Sequence, residues 1–117
     1  MSFDHLDHST SWTAGATGLT AAAAAPSSGS DGTAFPQGAS RLRLRSRTTA
    51  GSVTAQAWRL WTYGGSTAGW SVEADSAISG DTDIAVEYAV DAKVTRFYWQ
   101  LTSIAGGGTL ANSYRVL

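Results

Sequence analysis

From residue 40 onward, large apolar and polar residues alternate in short runs separated by turn residues. Residues 41–47 (RLRLRSR) put Leu42 and Leu44 on one side and Arg41, Arg43, Arg45 and Arg47 on the other. In residues 53–63, Trp58 shares a face with Leu60, while Arg59, Trp61 and Tyr63 share the opposite one. Residues 70–75 set Trp70, Val72 and Ala74 against Ser71, Glu73 and Asp75, and residues 84–90 align Ile84, Val86, Tyr88 and Val90. In residues 94–104, Phe97, Trp99 and Leu101 oppose Arg96, Tyr98 and Gln100, and residues 109–117 form a last run. Six such runs, about ten to twelve residues apart with glycine-bearing turns, predict an all-β fold: a small antiparallel β-sandwich or a jelly-roll-like barrel. No segment carries a 3.6-residue apolar period of helical length.

Residues 1–39 have a different texture, rich in Ala, Gly, Ser and Thr, so the chain divides into an N-terminal arm (1–39) and a β body (40–117). Such a composition buries too little surface to offset chain entropy, which predicts a mobile or extended arm. The five alanines of residues 21–25 are too few for a stable helix, and Pro26 stops them. Phe3, Leu6, Trp12 and Phe35 are scattered apolar anchors, suited to an arm that orders by lying across another surface, such as a neighbouring copy.

Charge follows the same division. The first 36 residues hold Asp4, Asp7 and Asp31 and no Lys or Arg, and all eight Lys and Arg lie beyond them, four within residues 41–47. Alternation spaces those arginines about 7 Å apart, near the phosphate repeat of a single strand. Proteins that grip single strands interleave aromatic platforms with the basic groups, whereas here the intervening residues are Leu and Ser. Nucleic acid is therefore not the expected partner. The run reads as an edge or interface strand whose arginines meet carboxylates such as Glu73, Asp75, Glu87 or those of the arm.

Alternation cannot turn every aromatic inward. Arg59, Trp61, Tyr63 and Tyr98 are expected on an outer face, where Trp and Tyr bordered by polar groups serve protein interfaces or sugar stacking.

Other chemistry is sparse. The absence of cysteine removes disulfides and thiolate metal sites, consistent with a chain made in a reducing cytoplasm. No apolar run approaches the roughly 18 residues of a membrane span. His5 and His8 with Asp4 and Asp7 (DHLDH) have metal-binding side chains without a structural frame, and no metal is expected there. Asp81 and Asp83 (GDTD) fit turn chemistry better than a calcium loop, because Glu87 comes too soon. No nucleophile elbow or phosphate loop occurs, so no catalytic residue, no cofactor and no enzymatic activity are expected.

The Ala/Gly/Ser/Thr arm, the cysteine-free β body and the ending RFYWQLTSIAGGGTLANSYRVL together resemble small β-sandwich virion proteins of tailed bacteriophages, of the capsid decoration or cement kind. The resemblance implies a non-enzymatic structural protein on the capsid surface, made in the host cytoplasm. It also implies a homo-oligomer, a trimer for example, contacting a major capsid or other virion protein while the arm orders on assembly. The alternative is a carbohydrate-binding module of a fibre or tail tip that stacks glycan on exposed Trp and Tyr.

Overall fold

The computed structural model describes residues 12–65, 69–79 and 83–117, which form eight β-strands and, among the described residues, no helix. The six predicted runs are strands: β3 (Arg41–Ala50), β4 (Ala55–Tyr63), β5 (Trp70–Ser79), β6 (Ile84–Ala89), β7 (Arg96–Ala105) and β8 (Thr109–Val116). Two further strands of two residues each, β1 (Thr13–Ala14) and β2 (Thr33–Ala34), come from the segment read as an arm.

The strands form two antiparallel four-stranded sheets, ordered β1-β8-β3-β6 and β2-β7-β4-β5 and packed into a β-sandwich. The period-two pattern explains the core. Leu42 and Leu44 of β3, Trp58 and Leu60 of β4, Phe97, Trp99 and Leu101 of β7, and Leu110 of β8 face inward and are buried. Trp58 and Trp99 stack at 4.1 Å between ring centroids, and Phe97 meets Tyr114 edge-on at 5.2 Å. A polar pin joins the layers: Gln56 Oε1 of β4 accepts from the Ser46 hydroxyl of β3 at 2.6 Å and from Trp58 Nε1 at 2.7 Å. The β7–β8 turn needs glycine. Gly106 has φ +104°, and a side chain there would press on the backbone of Ser52 and Thr54.

Residues 12–39 lie extended on the body of the same chain as a strap. Gly15 and Leu19 donate to the Asn112 and Leu110 carbonyls of β8, each at 2.9 Å. The strap then crosses to the other sheet, where Ala23 N donates to Leu101 O at 2.9 Å, and returns along β7 to Phe35, whose N–H reaches Thr95 O at 2.8 Å. The alanines of residues 21–25 form no helix within this path.

Two expectations are corrected. Phe35 does not wait for a neighbouring copy; it is 4% exposed in the chain's own core, edge-on to Phe97. Strand β3 is not an edge, because β8 and β6 pair with it on both sides. Its arginines point out of the sheet plane, Arg41 and Arg47 into solvent and Arg43 and Arg45 half-buried, so a charged outer face fits an interior strand as well as an edge one.

Candidate binding faces

The outer face of the first sheet carries the arginine ladder. Strand β6 runs beside β3 in a register that places Glu87 opposite Arg43. Glu87 accepts from Arg41 at 2.6 Å and from Arg43 at 2.8 Å, so one carboxylate bridges two guanidiniums. Asp83, just before β6, does the same for the next pair: Arg45 grips it with two nitrogens, Nε at 2.7 Å, and Arg47 Nε lies 3.8 Å away. The Arg43 and Arg41 hydrogen bonds hold the Glu87 carboxyl below its ordinary pKa, and the Arg45 hydrogen bond does the same for Asp83. Among the described residues, four guanidiniums against two carboxylates leave a surplus of two positive charges along β3. Trp12 packs over Arg45, with the guanidinium carbon 5.7 Å from the ring centre.

Opposite lies an aromatic face on the second sheet. Arg59, Trp61 and Tyr63 of β4 pair with Gln100, Tyr98 and Arg96 of β7, all turned outward as the alternation requires. Strand β5 breaks its own alternation. Leu60 pairs with Ala74 but Trp61 pairs with Val72, leaving Glu73 as the extra residue of a bulge. Trp70 and Val72 therefore leave the face they were expected to share with Ala74 and join Tyr63 and Trp61 outside. Val72 is the exposed large aliphatic residue there, at 47%, beside the ion pair of Arg59 with Asp75 at 2.7 Å.

The strap covers part of this face, gripped by side chains that bind its main chain. Tyr98 donates its hydroxyl to Ala24 O at 3.2 Å, Gln100 Nε2 reaches Ala23 O at 2.8 Å, and Trp70 Nε1 reaches Ser28 O at 2.8 Å. Arg96 donates to the carbonyls of Asp31 (2.7 Å), Gly32 (2.9 Å) and Ser30 (3.1 Å). Asp31 ties the turn by accepting from the Ser28 and Ser27 N–H groups, which hold its carboxyl below the usual range. Gly29 passes so close to the Tyr63 hydroxyl that a side chain there would press on it.

The expected site residues thus separate into groups. Arg41, Arg43, Arg45 and Arg47 form one face, and Arg59, Trp61, Tyr63 and Tyr98 the other, with Tyr63 and Tyr98 partly beneath the strap. Trp12 meets the arginine face and Phe35 enters the core. Phe3, Leu6, His5, His8 and Asp81 lie outside the described residues. Asp83, Trp70, Val72, Arg96 and Gln100 belong to these two faces as well, without having been expected there. Asp83 had a signal, since it stands four residues before Glu87 and so falls on the same face, beside the second arginine pair.

Among the described residues, no three His, Cys, Asp or Glu side chains are placed to hold a metal ion. The described carboxylates of the arginine ladder are engaged in ion pairs rather than aimed into a cleft. No family model, curated protein or solved structure matches this chain.

Proposed function

We propose that the chain is a non-enzymatic structural protein that works by surface contact, as a decoration or cement protein on a phage capsid does. The observation that supports this reading is the arginine ladder. The fold does not need four like charges on one strand. Exposed ion pairs are individually weak, and among the described residues two carboxylates face four guanidiniums. An acidic protein surface would complete the row and give attachment both orientation and speed. Repetition over a symmetric shell would multiply individually weak contacts.

The test is co-sedimentation of the purified full-length chain with capsid shells assembled without it. Binding should weaken as salt rises. Reversing the two most exposed arginines together, Arg41→Glu and Arg47→Glu, should abolish it while the fold persists, since each side chain is 58% exposed. A chain that fails to co-sediment even at low salt would remove the reading. The glycan alternative on Trp61, Tyr63 and Tyr98 has less to stand on, because Tyr63 and Tyr98 are engaged with the strap.

A further inference from the structure

The strap runs down one sheet edge and back along the other, and between its two limbs the sandwich is open. A hollow of about 280 Å³ enters there. Leu44, Phe97, Trp99 and Tyr114 wall it, and Gly15 and Ala16 of one limb face Gly32 and Thr33 of the other across its rim. Protein interiors contain few voids larger than a water molecule, so an opening of this size against core aromatics is a departure with a cause. The cause is the composition of the limbs, whose small residues project nothing large into it. Nor are the limbs slack: a side chain at Gly15 would collide with Asn112, and one at Gly32 with the Phe97 carbonyl.

The lining defines what would fit. No Asp, Glu, Lys, Arg or His contributes to it, so a charged ligand would lose hydration without gaining a counter-charge. The volume suits one ring rather than two, at the lower end of small-molecule sites. Four aromatic residues contribute to the lining: Phe97, Tyr98, Trp99 and Tyr114. Trp99 offers its ring and not its donor, since its indole N–H is covered by protein. The polar side chains of the lining are Thr33, Tyr98, Asn112, Ser113 and Tyr114, with Tyr98 already donating to Ala24 O. The Asn112 side-chain oxygen accepts from Ala16 N–H at 2.8 Å, which fixes the amide and leaves its NH2 to donate. The Tyr114 hydroxyl has no hydrogen-bond partner among the described residues.

We propose that this hollow binds a single neutral pyranose ring, such as the terminal sugar of a glycan. The C–H face of the sugar packs on the aromatic walls, and its hydroxyls accept from the Asn112 amide and exchange hydrogen bonds with Tyr114. The site is separate from the arginine face, and its failure would leave the docking proposal untouched.

The test is titration of the full-length, nitrogen-15-labelled chain with glucose, galactose, N-acetylglucosamine and rhamnose, followed by amide NMR. At least one sugar should move the Gly15, Gly32 and Asn112 side-chain signals saturably, with millimolar affinity. Ala16→Phe fills the mouth at an exposed position while keeping the main-chain bond that Ala16 accepts, and should weaken binding about tenfold or more. The same spectra report whether that variant is folded. Silence toward all four sugars would overturn the proposal, as would unchanged binding in folded Ala16→Phe. Shifts caused by phenol but by none of the sugars would also overturn it, showing the hollow to be a plain aromatic pocket.

Discussion

Gln56 is 2% exposed, and its side-chain oxygen accepts from the Ser46 hydroxyl and the Trp58 indole, both buried. Replacing it with leucine would strand two donors, each at a cost of about 1–3 kcal/mol. Gln56→Leu is therefore expected to lower the unfolding free energy by about 2–4 kcal/mol in urea denaturation. Adding Ser46→Ala should return part of the loss by removing one stranded donor. A neutral single variant would mean the pin does not hold the sheets. Carboxylates matter at this scale too. Glu87, Asp83 and Asp31 all have depressed pKa values in the folded chain. Such groups add stability above their unfolded pKa and lose it as pH falls through the folded value. Urea midpoints should hold steady from neutrality to about pH 5 and drop below about pH 4. Glu87→Gln should flatten that drop, and an unaltered acid profile would show the ladder to be energetically silent.

At the scale of elements, the strap and the β5 bulge set the character of the molecule. Arg96 holds three consecutive strap carbonyls, so Arg96→Ala should loosen residues 24–32 while leaving the main sheets intact. Limited proteolysis should then cut first within that segment, whereas a cutting pattern like that of the parent would show that Arg96 does not secure it. Removing residues 1–39 altogether deletes Phe35 from the core and uncovers the edges of β7 and β8. The remaining body is expected to lose about 3–5 kcal/mol from the missing phenyl ring alone and to associate through its bared edges. Light scattering beside urea denaturation would detect both, and a monomer of parental stability would contradict the role given to the strap. These two elements were also the hardest to read in the sequence. The faces of β4, of residues 41–47 in β3 and of residues 96–101 in β7 were plain because the alternation there is uninterrupted. The bulge at Glu73 was invisible, since a single extra residue reverses the phase of Trp70 and Val72 without any glycine or proline to mark it. The strap looked unanchored because its grip comes from Tyr98, Gln100, Trp70 and Arg96 acting on main-chain carbonyls, and composition says nothing of a carbonyl's partner. Phe35, a lone large apolar residue just before Pro36, was the one visible sign that the segment returns to the core.

For the whole molecule, the strap pairs with the β8 and β7 edges on one side of the sandwich and leaves β5 and β6 as the edges of the other, where the Ser76 and Tyr88 hydroxyls bond across the two sheets. The two broad faces differ, one bearing arginines bridged by carboxylates and the other aromatics partly roofed by small residues. In the proposed reading partners are met by these faces, and residues 12–39 lie against the body that carries them. Amide hydrogen exchange on the full-length chain, free in solution, tests this most directly. If strap and body are one folded unit, the N–H groups of Gly15, Leu19, Ala23 and Phe35, which donate to body carbonyls, will be protected together with the core strands. Exchange of all four at the rate of an unstructured peptide would contradict it, and would return the segment to the role of an arm that orders only on assembly.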